Sequence, residues 1–317
     1  MAETSNIGKM AVFLSEELFN NFGWEKCNLE DLNWKCENAE HEKKTHPADV
    51  VFYYNDPYTN TVTYIHTDLK SFSETTLSNL NLSEVLESLS MQVECSEISE
   101  EWQKLCLEGA SDYKVHGMLF IYNHDNKYIK SLTSKYGNIS NINVNIPKSS
   151  RLYVLDPSDI YWLNNISLHL GRLILKKELS QNYTFFYPQR KDQATIGNSK
   201  AATIELLKSP FIIVEDKKLK KVVIFYRAEG EEVDEFVYLI DYLRHHQLID
   251  SDNKVCIFQL DQSTFAPANF QNAIRKCETL LNIKDPDFKE LLNKIDHQKI
   301  KHFTTEFSEI EIGMGLR

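Results

Sequence analysis

Apolar residues recur along this chain with two periods, and the switch between them lays out its elements. Leu14, Leu18 and Phe22 stand four apart beside Val12 and Phe19, and predict a helix over 10–22 that Gly23 ends. Residues 24–46 are polar and read as irregular, with Leu32–Trp34 as a short edge strand. Two β-rich runs follow, 49–55 and 61–70, separated by the turn sequence Asp56-Pro57-Tyr58-Thr59-Asn60. Residues 76–108 read as one or two helices, 117–122 as a buried strand, 125–137 as a polar helix and 151–155 as another buried strand. Pro157 opens a helix that runs to about Leu179.

The second half repeats the alternation. Strands are expected at 183–187, 210–214, 222–226, 255–260 and 310–312. Helices are expected after Asn198 and at 232–246, 267–281 and 286–295. The order implies an α/β (α+β) protein: a mixed sheet flanked by helices, followed by a C-terminal α+β region. The boundary is expected in the Gln181–Gln193 region, dividing 1–180 from 181–317. No sequence repeat stands out.

Composition narrows the class. With 42% hydrophobic residues, 17 Phe and 15 Tyr against 10 Gly and 8 Pro, the chain builds cores and is not a disordered segment. It shows no signal peptide and no apolar run near twenty residues, so a cytoplasmic location without a membrane is expected. No two of the six cysteines are separated by two residues. A zinc knuckle or ribbon is therefore not expected, and the cysteines read as scattered reduced thiols. The net charge of −11 is uneven: residues 1–160 hold 13 Lys+Arg against 24 Asp+Glu, and the remainder holds equal numbers. A polyanionic substrate would need basic patches, a divalent metal or a partner to offset that half.

The candidate chemistry lies in the hairpin. Acid-x-Lys triplets occur elsewhere, as in Glu42-Lys44, Asp125-Lys127 and Asp287-Lys289, but only Asp68-Leu69-Lys70 lies in a β-rich run paired with a second one. A turn centred between Tyr58 and Thr59 sets Asp49 opposite Asp68, with Cβ atoms about 4.5–5.5 Å apart. Alternation puts Lys70 on the same face, and Val50, Phe52, Ile65 and Leu69 on the other. Two facing carboxylates repel and lose hydration, which a divalent cation between them would relieve.

Pro47-Ala48-Asp49, with Asp68-Leu69-Lys70 nineteen positions on, resembles the PD-(D/E)xK nuclease superfamily, the restriction-endonuclease-like fold. The order helix, hairpin, helix, strand over residues 10–155 matches that family. The chain departs from the pattern in that Ala48 separates Pro from Asp, and the second acid is Asp where Glu is commoner. The resemblance implies Asp49 and Asp68 as ligands of Mg²⁺ (or Mn²⁺), the Leu69 carbonyl completing the metal shell, and Lys70 assisting the attacking water. It also implies a helical Glu at the site, with Glu17 as candidate and Glu16 as rival, and a helical Gln, with Gln92 as candidate. The implied function is a metal-dependent nuclease acting on nucleic acid, DNA more than RNA. It would be the nuclease subunit of a restriction or phage-defence system with a protein partner; a homo-oligomer is also compatible. The alternative is a non-catalytic interaction subunit on a degenerate nuclease fold.

Other residues weigh less. His66 reads as a packed strand histidine, His41 and His46 as loop composition, and His124-Asp125 as a turn. Gly197-Asn198-Ser199-Lys200 lacks the first glycine of a phosphate loop. Lys176-Lys177, Arg190-Lys191 and Lys217 to Lys221, with Tyr183, Phe185, Phe186 and Tyr187 interleaved, are the candidates for contacts to a nucleic-acid backbone.

Overall fold

The computed structural model describes residues 15–107, 112–128, 131–132, 144–189, 198–280 and 286–301. The chain divides into two compact units between Asn164 and Asn165. That point falls inside a helix and earlier than the boundary expected at 180/181.

The first unit is built on a five-stranded sheet in the order β1-β2-β3-β4-β5: β1 (Glu25–Lys35), β2 (Thr45–Asn55), β3 (Val62–Phe72), β4 (Tyr113–Asn123) and β5 (Leu152–Leu155). β1, β2 and β3 run antiparallel, while β4 and β5 are parallel to β3. β1 is far longer than the short edge strand expected; its Glu, Asn, Asp and Lys content hid it. The β2–β3 turn is closed by Asp56, whose Oδ1 accepts the N–H groups of Tyr58 (2.7 Å) and Thr59 (3.0 Å). Pairing runs from Asn55 opposite Val62 to Val50 opposite Thr67, the register that sets Asp49 against Asp68.

Both faces of this sheet are covered. Helix α1 is described over 15–20, the expected helical residues 10–14 lie outside the described residues, and Gly23 follows it at φ +76°. Its Phe19 packs on Phe52 and Phe120, 5.1 and 6.0 Å between ring centres. The opposite face carries Val51, Tyr64, Leu119 and Ile121. It packs on α3 (Leu82–Ile98) and α4 (Glu100–Cys106), which follow a short α2 (Glu74–Ser78). α3 buries Leu82, Leu86, Leu89 and Val93 at helical spacing, and Gln92 and Cys95 share that stripe. Gly117 on β4 permits the close approach, since a Cβ there would meet Leu152 at 2.5 Å and Val93 at 2.9 Å. The helix expected over 125–137 falls largely outside the described residues.

Helix α5 (Pro157–Leu175) crosses the division. Asp156 caps it, accepting the Asp159 N–H at 3.0 Å, with Pro157 at the first helical position. The second unit holds the sheet β10-β9-β8-β7-β6, from β6 (Thr184–Phe185), β7 (Phe211–Asp216), β8 (Lys221–Tyr226), β9 (Lys254–Gln259) and β10 (Asp296–Lys299). β10, with the polar sequence Asp-His-Gln-Lys, was not expected, and 310–312 lies outside the described residues. α6 (Ile204–Leu207) precedes β7; α7 (Val233–His245), α8 (Ala266–Leu280) and α9 (Pro286–Asn293) complete the unit. Ile213, Ile224 and Ile257 pack on Phe236, Leu239, Phe270 and Ile274.

The two sheets share one plan. In each, three antiparallel strands are followed by two parallel ones, with helix between the third and fourth. The repeat is invisible in sequence because sheet order depends on hydrophobic pattern and connection length, not on residue identity.

Candidate active site

The ladder between β2 and β3 ends at Val50 opposite Thr67, and Asp49 and Asp68 stand one residue past it. There the Asp49 side chain takes over from the backbone: its Oδ2 accepts the N–H of Leu69 at 2.7 Å. One residue's N–H and C=O point to the same strand edge, so the odd-numbered residues of β3 face β2 across hydrogen-bonded pairs. Asp68 then belongs to the closer, non-hydrogen-bonded kind of pair. Its carboxylate is buried, 7% exposed, and Oδ1 is ion-paired with Lys70 Nζ.

Electrostatics set the two acids apart. Burial pushes the Asp49 carboxyl up to about 6, and the Asp68 charge and a side-chain hydrogen bond with Asp68 add to it. The Leu69 N–H and the Lys70 ammonium pull the other way without cancelling the rise. One ammonium therefore serves two carboxylates. Hard oxygen donors with uncompensated charge are the set that Mg²⁺ or Mn²⁺ favours, so these residues fit such an ion.

A second polar pair lies on the same face. His66 is fully buried and its Nε2 meets Gln92 Oε1 on α3 at 2.9 Å. Burial lowers its pKa, so the ring is neutral and Nε2 carries the proton toward Gln92. His66 is thus a packed strand histidine that also holds the helical glutamine.

Other candidates are not brought here. Glu17 is exposed, and Glu16 pairs with Lys26 at 2.6 Å. Their helix packs through Phe19 on the face opposite Asp49 and Asp68. Among the interleaved aromatics, Phe185 is fully buried and Tyr187 is 5% exposed, so neither offers a surface for base stacking. Alternation of a short strand among lysines looks the same whether its rings face core or solvent. Lys176, Lys177, Lys217, Lys218 and Lys220 are exposed, whereas Lys221 is buried and pairs with Glu178 at 3.4 Å; Arg190 and Lys191 lie outside the described residues. His124 meets Ser71 at 3.2 Å, and Asp125 caps α2 through the Glu74 N–H at 3.0 Å. His41 and His46 are both buried and converge with Cys36 and Cys95. Sequence reading missed that grouping, although Cys36, His41 and His46 recur every five positions.

At the matching position of its sheet, the second unit carries other residues. One residue past the last β7–β8 rung, Phe211 opposite Tyr226, stand Pro210 and Arg227 in place of two carboxylates.

None of the curated proteins compared with the chain matches it. The family described as the GAPS4 protein PD-(D/E)XK nuclease domain matches residues 1–159, half of the chain and the part that holds the first sheet and the Asp49–Asp68 pair. With an acid on each strand of the β2–β3 hairpin and a lysine two residues beyond the second, and with the family match over half of its length, the chain belongs to this family of PD-(D/E)XK nuclease domains.

Proposed function

We propose that the chain is a divalent-metal-dependent nuclease that hydrolyses phosphodiester bonds of DNA as part of a multi-protein defence complex in the cytoplasm. The observation that carries this reading is the facing pair Asp49–Asp68 with Lys70 on Asp68, within a chain of this family. Asp49 and Asp68 would hold Mg²⁺ or Mn²⁺. The Leu69 carbonyl would face the same edge, because its N–H already points to Asp49. A metal held there would supply charge neutralisation and Lewis acidity. Lys70, tied to Asp68 and partly exposed, would orient the attacking water and offset charge at the phosphorus. Gln92 and His66 would position the helix that walls the site.

The acidic balance of residues 1–160 argues that substrate delivery depends on other surfaces. The second unit, which has Pro210 and Arg227 where the first has acids, is the candidate to bind substrate or partner.

The test is cleavage of plasmid, single-stranded DNA and RNA with Mg²⁺ or Mn²⁺ and with EDTA. Asp68→Asn and Lys70→Ala should each lower the rate by roughly 10²–10³-fold with folding retained. Cleavage that survives both substitutions, or persists in EDTA, overturns the reading.

A further inference from the structure

We propose that Cys36, His41, His46 and Cys95 form a closed, four-coordinate zinc site, separate from the Asp49–Asp68 pair. Cys36 directly follows β1, His41 ends a 3₁₀ turn (Ala39–His41), His46 is in β2 and Cys95 is on α3. One donor atom from each lies within 4.8 Å of all the others. The close pairs are Cys36 Sγ to Cys95 Sγ at 3.5 Å, Cys36 Sγ to His41 Nδ1 at 3.6 Å, Cys95 Sγ to His41 Nδ1 at 3.3 Å and His41 Nδ1 to His46 Nε2 at 3.3 Å.

Those four lengths are close to edges of a zinc tetrahedron, and the two remaining edges, from His46 to the cysteine sulfurs, lie within 4.8 Å. With Zn–S near 2.3 Å and Zn–N near 2.0–2.1 Å, the edges come to roughly 3.3 Å for N–N, 3.6 Å for S–N and 3.8 Å for S–S. Two sulfurs and two imidazole nitrogens are a donor set that selects zinc over magnesium or calcium.

The surroundings point the same way. His41 Nε2 lies 3.1 Å from Glu94 Oε2, so that nitrogen carries the ring proton. Nδ1 is then a bare lone pair facing two sulfurs and a second ring nitrogen, the form in which a neutral imidazole ligates a cation. Carboxylate on the outer nitrogen of a ligating histidine is the usual partner arrangement around zinc. Asn38 Nδ2 donates to the other oxygen of that carboxylate, Glu94 Oε1, at 3.2 Å. His46 is fully buried and presents Nε2 inward; its Nδ1 has no hydrogen-bond partner among the described residues. A cleft of about 440 Å³ bordered by Asn38, Glu87 and Glu94 reaches His41 and provides an entry path.

Four protein ligands leave no open position, so the site is structural, not catalytic. It would clamp the β1–β2 connection to α3. His46 is three residues before Asp49, and Cys95 is three residues after Gln92. Binding releases the two thiol protons to solvent, with no redox change.

The test needs no nuclease activity. The full chain, purified without chelator, should hold one zinc per molecule by elemental analysis. Replacement by Co²⁺ should give the intense visible bands of a tetrahedral dithiolate site. Glu94→Gln, which keeps all four ligands, should weaken zinc by roughly 10–100-fold. Asp49→Asn with Asp68→Asn should leave zinc content unchanged, which separates this site from the nuclease reading. Absence of zinc with no tetrahedral Co²⁺ spectrum on the intact chain overturns the proposal, as does a Cys36–Cys95 disulfide in its place or a Cys95→Ser variant with the unaltered spectrum.

Discussion

The Oδ2 atom of Asp49 accepts the backbone N–H of Leu69 at 2.7 Å, taking the donor that the β2–β3 ladder leaves unpaired one step past its last rung. The bond aims the carboxylate and draws it toward Asp68, where burial raises its pKa to about 6. A group held against its own electrostatics is unfavourable for folding when no cation compensates it. Asp49→Asn should therefore stabilise the metal-free protein by about 1–2 kcal/mol at pH 7.5, because the amide oxygen still accepts from Leu69 and the repulsion is gone. Urea unfolding in EDTA measures this. The same variant should lose the stabilisation that Mg²⁺ or Mn²⁺ gives the parent.

Gln92→Leu should destabilise the first unit by about 1–3 kcal/mol, since it leaves the His66 N–H buried and unpaired. Combining it with His66→Phe should cost less than the two changes summed. A double-mutant cycle on unfolding free energies reads the coupling, and strict additivity would refute the pairing.

Gly117→Ala should cost about 1–3 kcal/mol. The new methyl would meet Leu152, Val93 and Leu89, and the last two lie on α3. Thermal unfolding reads the loss. A shifted α3 should also weaken the His66–Gln92 contact, so Gly117→Ala and Gln92→Leu should be less than additive.

His169 gives the second unit a pH dependence. It packs on Phe258 (4.5 Å) and Phe225 (6.0 Å), and neither ring nitrogen has a hydrogen-bond partner among the described residues. Burial lowers its pKa from 6.5 to about 4. Above pH 6.5 folded and unfolded forms are both neutral. Between 6.5 and 4 the unfolded chain binds a proton that the folded one refuses, so stability falls with pH by up to about 2–3 kcal/mol and then levels off. His169→Leu should flatten that fall. Unfolding free energies at pH 7.5, 6, 5 and 4 for both chains test it, and parallel curves would refute the assignment.

The hairpin was legible because several local rules agree on it. Asp56 and Pro57 specify a turn, alternation specifies two strands, and together they specify a register that a one-residue slip would invert. β1 and β10 were not legible. One is an edge strand rich in Glu, Asn and Lys, and the other reads Asp-His-Gln-Lys, so pairing with a neighbour and not composition makes each a strand. The aromatics of 183–187 show the converse: an apolar pattern reports burial without saying what covers it. Cys36, His41, His46 and Cys95 escaped because the fourth residue is on a helix forty-nine positions beyond the third, and only the packing of α3 on the sheet brings it back.

β3 is the middle strand of its sheet. It pairs with β2 over Val62–Thr67 and with β4 along its whole length to Phe72. Enzymes often place their chemistry on loops that open far more readily than the molecule unfolds. Here the amides of Asp68 and Lys70 belong to the set expected to exchange with solvent only when the whole unit opens. Heat or denaturant should then find no window in which the fold persists while the acid-lysine geometry is already lost: inactivation and unfolding of this unit become one event.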